Sequence, residues 1–351
     1  MTLEQLVELE RSRAFEATRR FEDLYLYHVA FDDLNREQRT ESVLARMVAN
    51  GGRIGLIGPS GSGKSSVIGS VLGPLAEGIP DQLVPLRIPV GVESKSTVME
   101  PRRLAQHIVR YVTRWASPER FTDAEKANLD RVVADVARRV GAGRTRRFNL
   151  GLPLWMADVR VSQEVRSAGE SFESRGSAAD AIEGAKLMIG VFEAHGLELA
   201  LVIDDSDSWL RVANLDRTNV ANAFFSRNVP MLAKELGVAF VVAIHEEYLS
   251  LPGYLQAEPM LSTTIPLPRL ANPRRGIRDI LGRRLDVSEL GLALADVLDP
   301  TALDQLDAYY RSNRSLRDVL KVTDRAVQHA CSDGLEFVTG QLIDQAVSES
   351  L

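Results

Sequence analysis

The densest chemistry in the chain lies in Gly58-Pro59-Ser60-Gly61-Ser62-Gly63-Lys64-Ser65, followed by Ser66. The glycines let backbone approach a ligand that a Cβ would keep away, so that successive N–H groups can turn toward an anion. With Lys64 and Ser65 closing it, the run fits the phosphate-loop pattern GxxxxGK[ST]. A nucleoside polyphosphate suits this set, and these residues alone do not discriminate ATP from GTP. Amide N–H groups and the Lys64 ammonium would meet its oxygens, and the Ser65 hydroxyl would ligate Mg²⁺. A flexible Gly/Ser linker is the plain alternative, and the flanking residues argue against it. Ile54-Gly55-Leu56-Ile57 precedes the run with the make-up of a buried strand, and helix-compatible residues continue to Leu72. That helix would turn its positive end toward the same anion.

A second set lies far downstream in Leu197–Ser208, LELALVIDDSDS. Its apolar core, Ala200-Leu201-Val202-Ile203, reads as a buried strand ending in Asp204-Asp205. Parallel strands deliver side chains to their carboxyl edge, where a phosphate loop also sits. Asp204 would hold Mg²⁺ through its water shell, and Asp205 would polarise an attacking water. An Asp-rich turn at a strand end is the alternative. Val238–Ile244 (VAFVVAI) is another apolar strand, ending in His245. A neutral imidazole there could orient water or a terminal phosphate, or could simply sit at a strand end.

The elements that must position these residues follow from periodicity. Leu83–Val92 reads as a strand, with Pro85 and Pro89 awkward for a central place. Leu261–Leu267 reads as a fifth. Residues 3–27 suggest an amphipathic helix, either packed on the main domain or serving as a partner-binding arm. A second helix, Asn35–Ala49, is stopped by Asn50-Gly51-Gly52 and is a candidate wall for a base. Further helices are expected over Pro101–Trp115, Thr122–Val140, Ala179–Ala194 and Asp216–Glu235, the last broken or kinked at Pro230. Phe148–Arg166 alternates like a hairpin with its tip near Trp155. Beyond Pro273 the pattern is wholly helical, over Arg274–Leu285, Leu290–Val297, Thr301–Tyr309, Ser315–Cys331 and Gln341–Ser348.

The 351 residues, 45% hydrophobic and 26% charged, describe an ordinary globular protein with room for one large domain or two. A net charge of −6 gives no overall attraction to nucleic acid or anionic membrane. Local patches remain, and Arg138–Arg147 (RRVGAGRTRR) is the densest basic run: a phosphate-contacting element or a solvated loop. Cys331 is the single cysteine, so no intramolecular disulfide forms. No apolar run approaches the roughly 18 residues of a membrane helix, and Met1-Thr2-Leu3-Glu4 does not open a signal peptide. The expected setting is cytoplasmic, with no membrane partner.

Together these motifs resemble an AAA+ P-loop ATPase across most of Arg36–Ala346. The phosphate loop is similar to Walker A, Leu201–Asp205 to Walker B, and the strand before His245 to the family's third motif. Arg274–Leu285 and Asn313–Ala330 resemble the first lid helix and the sensor-2 helix of initiator-type and transposition-regulator members, and Gly334–Ala346 their last lid helix. The resemblance implies an α/β fold: a P-loop NTPase core with a parallel sheet flanked by helices, followed by an α-helical AAA+ lid. It divides the chain into an N-terminal helical segment (1–50), the core (51–268, with an insertion at about 116–179) and the lid (269–351). It also places His245 at the sensor-1 position and Arg317 at sensor 2, with Arg314 the runner-up. Ligands would be ATP and Mg²⁺.

Three departures qualify the resemblance. Asp205 stands where the family has Glu, and the cluster Asp204-Asp205-Ser206-Asp207 is closer to signalling NTPases of the STAND and KAP types. Between His245 and Leu267 no arginine finger is found, so oligomer activation would need Arg227 or Arg283. Initiator relatives that bind origins carry a further winged-helix domain, for which no length is expected after the lid. The expected function is an ATP-binding, ATP-hydrolysing switch acting on an unidentified protein or nucleic-acid client. The alternative is an ATP-gated nucleic-acid adaptor of a mobile-element or defence system; a third reading is a nucleotide-binding scaffold without turnover.

Overall fold

The computed structural model describes residues 2–35, 39–73, 82–89, 100–115, 178–194, 196–204, 206–207 and 214–349. The expected helix Thr122–Val140, the basic run Arg138–Arg147, the hairpin near Trp155 and Asp205 lie outside these residues.

Among the described residues five strands, β1 Arg53–Ile57, β2 Leu83–Pro89, β3 Glu198–Asp204, β4 Ala239–Ile244 and β5 Thr263–Pro266, form one sheet in the order β2-β3-β4-β1-β5. Every pairing is parallel, and Ile57 of β1 lies opposite Ile244 on one side and Pro266 on the other. The strands are apolar on alternate residues in both directions because both faces are covered. Leu199, Leu201 and Ile203 of β3 enter one core cluster; Ala200 and Val202 enter another. Among the described strands β2, with its two prolines, takes an edge place, where a missing donor is tolerated.

Among the described residues four α-helices precede β1: α1 Leu3–Ser12, α2 Leu24–Tyr27, α3 Phe31–Leu34 and α4 Thr40–Ala49, with a 3-10 turn at Phe21–Asp23 leading into α2. Residues 3–27 are therefore not one helix on the main domain. Arg13 takes a left-handed conformation (φ 53°) that ends α1. The second expected helix starts at Thr40, not Asn35. The buried Asn35 side chain is drawn away to donate to the Arg269 carbonyl at 2.9 Å and accept from Ala271 N–H at 2.7 Å. Glu41 accepts from Phe31 and Asp32 N–H, while Asp32 accepts from Glu41 and Ser42 N–H, a reciprocal cap that fixes the start of α4.

The core helices are α5 Lys64–Leu72, α6 Pro101–Trp115, α7 Ala178–Ala194, α8 Asn214–Ala223 and α9 Pro252–Ala257. After α8 the chain does not break at Pro230. It widens into π turns at Phe224–Asn228 and Met231–Leu236 on either side, which absorb the missing proline N–H.

The C-terminal helices are α10 Pro273–Ser288, α11 Leu294–Val297, α12 Pro300–Asn313, α13 Leu316–Ser332 and α14 Gly340–Ser348. Side-chain caps from Asn272, Asp299, Ser315 and Thr339 start four of them. α1 packs on α13, burying Leu6 and Leu9 in the cluster that the lid shares with one face of the sheet. The fold is an α/β P-loop core carrying a helical lid, with the N-terminal segment packed against that lid.

Candidate nucleotide-phosphate site

The loop between β1 and α5 lies at the carboxyl edge of the sheet, where β1, β4 and β3 end side by side. Gly61 (φ 73°) and Gly63 (φ 107°) both need the left-handed region, and Gly63 caps α5. Gly61 has a second reason to lack a side chain. A Cβ there would run into the Ser315 hydroxyl and lie 2.9 Å from the Arg317 Cβ. That close approach lets Arg317 N–H donate to the Gly61 carbonyl at 3.1 Å, so the start of α13 is seated on the loop.

Lys64 is not held out toward solvent. It is 5% exposed, and its Nζ donates to the carbonyls of Gly58 and Pro59, both at 2.8 Å, and to Asp207 Oδ2 at 3.0 Å. Burial lowers its pKa, and the Asp207 carboxylate opposes that shift. The Ser65 hydroxyl donates to Asp204 Oδ1 at 2.9 Å, and Asp204 is buried. Ser66 is engaged otherwise, its hydroxyl lying 2.9 Å from His28 Nδ1. Gly61–Ser66 line a cleft of about 270 Å³ together with Asp204, Asp207 and Arg317. Gly58, Pro59 and Ser60 do not line it, and the Gly58 N–H bonds to the Ile244 carbonyl at 3.1 Å.

His245 follows β4 and is buried. Its Nδ1 accepts from Glu247 N–H at 3.2 Å, which leaves the proton of the neutral ring on Nε2. Burial lowers its pKa, and Asp207 and Lys64 are near enough to act on it electrostatically. Ser206 is pinned to β4 and the chain beyond it because its hydroxyl donates to the Ala243 carbonyl and Tyr248 Oη donates to its carbonyl at 3.0 Å. That pinning holds Asp207 against Lys64.

The structure brings Lys64, Ser65, Asp204 and Arg317 to one cleft. Arg314, exposed at the end of α12, does not line it. Arg283 donates to the Leu26 carbonyl of its own chain at 2.7 Å, and Arg227 is exposed. The expected base wall is displaced. α4 packs on α5 and β1, and the cleft is walled by Tyr27, His28 and Phe31 with Ile280 and Leu316 from the lid. Sequence reasoning also missed Arg87 of β2, whose guanidinium lies 3.6 Å from Asp204 Oδ2. Asp207 was visible as the last acid of the DDSD cluster, whereas Arg87 has no motif to mark it.

The donor set fits a small hard cation. A hydroxyl and a carboxylate in mutual contact beside a phosphate loop are oxygen ligands of the kind Mg²⁺ takes, completed by water and phosphate. No helix among the described residues is long and apolar enough to cross a membrane.

No family model matches the sequence, and no curated protein does. Among solved structures, the Aeropyrum pernix ORC1 protein in complex with DNA aligns with a TM-score of 0.51 at 15% identity, over 94% of this chain and 69% of that one. Cdc6p from Pyrobaculum aerophilum aligns at 0.48 and 15% identity, over 90% and 67%. The ADP form of the Aeropyrum pernix ORC2 protein aligns at 0.48 and 16%, over 88% and 67%. The likeness to ORC1 shows the fold alone, a P-loop core followed by a helical lid.

Proposed function

We propose that the chain is an ATP-binding and ATP-hydrolysing AAA+-like molecular switch, with nucleotide held between the αβ core and the lid. The observation that carries this reading is the meeting of core and lid on the loop. Ser65 and Asp204 pair on the core side, while Arg317 sits on Gly61 from the lid side. Lys64 would bind phosphate oxygens, and Ser65 with Asp204 would hold Mg²⁺. Bound there, the metal supplies charge neutralisation of the phosphates. Asp205 and His245 are the groups proposed to orient water, and Arg317 the group that contacts the terminal phosphate. Because α13 starts on the loop itself, lid position would follow the phosphate state. The division at residues 50 and 268 is proposed on the same grounds.

Lys64→Ala tests this reading. Calorimetry should show ATP binding abolished or severely weakened in a variant that keeps its circular-dichroism spectrum. Unchanged affinity in that folded variant contradicts the site.

A second reading, in which DNA is the client, is supported by the ORC1 structure having been solved in complex with DNA. The basic run Arg138–Arg147 would then contact phosphates. An ATP-dependent mobility shift that weakens with added salt is expected, and no shift at low salt contradicts it.

A further inference from the structure

Arg87 lies on the edge strand β2, opposite Val202 in the register with β3. Strand alternation puts it on the same face as Leu83, which packs in the lid-side cluster, whereas Val84, Leu86 and Ile88 pack in the other. It is the charged residue of an otherwise apolar strand, set where that face runs out into the cleft. Its guanidinium stacks over the Phe21 ring, 4.5 Å from the centroid, and reaches Asp204 Oδ2 at 3.6 Å. That separation is an ion pair, longer than a hydrogen bond. Nε is buried and has no hydrogen-bond partner among the described residues. An arginine held by its face on an aromatic ring, with Nε unpartnered among the described residues and one terminal nitrogen only in a 3.6 Å ion pair at a cleft edge, is matched to phosphate oxygens.

Charge balance points the same way. Lys64 is matched by Asp207 at 3.0 Å, and the Oδ1 of Asp204 takes the Ser65 hydroxyl. An entering polyphosphate brings more negative charge than Lys64 offsets, and Arg317 is assigned to the terminal phosphate of a triphosphate. Arg87 is already in the cleft and only loosely held.

We propose that Arg87 binds phosphate oxygens of a nucleoside di- or triphosphate directly and takes over part of the metal's neutralising work, so that nucleotide binding persists when divalent cation is removed. This rests on the nucleotide reading above. Such a residue is a binding cation supplied within the chain, independent of any finger from a second copy.

The test is calorimetric titration of ADP into the full chain as wild type, Arg87→Gln and Arg87→Lys, each with MgCl₂ and with EDTA. Wild type should lose less than about tenfold in affinity when EDTA replaces MgCl₂, because charge-assisted hydrogen bonds from Arg87 remain. Arg87→Gln should lose about 10- to 100-fold in EDTA, the worth of hydrogen bonds to a charged group, and only about threefold in MgCl₂. Arg87→Lys should recover part of the EDTA affinity, since it restores the charge without the fork. Wild type that binds ADP with MgCl₂ but not with EDTA overturns the proposal. So does an Arg87→Gln loss that is equal in both media, which is what a purely structural contact with Phe21 and Asp204 would give. Absence of ADP binding by wild type in either medium contradicts the nucleotide reading itself, and the proposal falls with it.

Discussion

On the floor of the cleft two acids have different partners, and this sets what each can do. Asp204 meets a neutral hydroxyl and a distant guanidinium, whereas Asp207 faces the Lys64 ammonium directly. Lys64 has three donors, and all three are engaged, by two loop carbonyls and Asp207. A phosphate oxygen must therefore compete with Asp207 for Lys64. Asp207→Asn should raise ATP affinity about tenfold, the lower end of what a hydrogen bond to a charged group is worth, measured by calorimetry. An unchanged or lower affinity contradicts the competition. His245 gives a pH dependence. Its pKa in the folded chain is lowered below the ordinary 6.5 by burial. Between that lowered value and 6.5 the unfolded chain binds more protons, so stability rises with pH across the window. The contribution is fully present above about 6.5 and is lost as pH falls toward the folded value. Urea titrations from pH 5 to 8 should show this slope in wild type and a flatter one in His245→Gln; equal slopes contradict the burial of a neutral ring.

The contact between loop and lid is an element-scale device that depends on one missing side chain. Gly61→Ala places a Cβ against Ser315 and Arg317 and forces a left-handed φ, a cost of about 1–2 kcal/mol. It should lift the start of α13 from the loop and weaken ATP binding at least about tenfold. Full affinity would show that the lid contact is not needed. Much at this scale was legible beforehand. The apolar runs ending at Ile57, Asp204 and Ile244 mark buried parallel strands, and the prolines of β2 mark its edge place. The helices expected from Thr301 and Ser315 begin at Pro300 and Leu316, behind side-chain caps from Asp299 and Ser315. What could not be read depended on distant partners. Nothing near Asn35 reveals that Arg269 and Ala271 will claim its amide, and nothing near Pro230 tells a break from a pair of wide turns. Ser65 and Asp204 could be matched through their motifs, whereas Arg87 reaches the cleft only because β2 pairs with β3.

At the scale of the whole molecule, the N-terminal segment joins lid to core. α1 lies on α13, Arg284 donates to the Glu16 carbonyl at 2.6 Å, and Leu24 lies against α5. Arg284 is buried, which brings its pKa down to about 10, so it still carries its charge at neutral pH. Nucleotide in the cleft would thus touch three parts of the chain at once: loop, lid and N-terminal wall. In the switch proposed above, the terminal phosphate would be read through the lid by Arg317, which lines the cleft and whose N–H bonds to the Gly61 carbonyl. The most direct measurement is calorimetric titration of ATP and of ADP, with MgCl₂, into wild type and Arg317→Ala. Wild type should bind both nucleotides. Arg317→Ala should lose about 10- to 100-fold for ATP, the worth of a hydrogen bond to a charged group, with little change for ADP. Wild type that binds neither nucleotide, or an Arg317→Ala variant with an unchanged ATP-to-ADP affinity ratio, would contradict a nucleotide switch read by the lid.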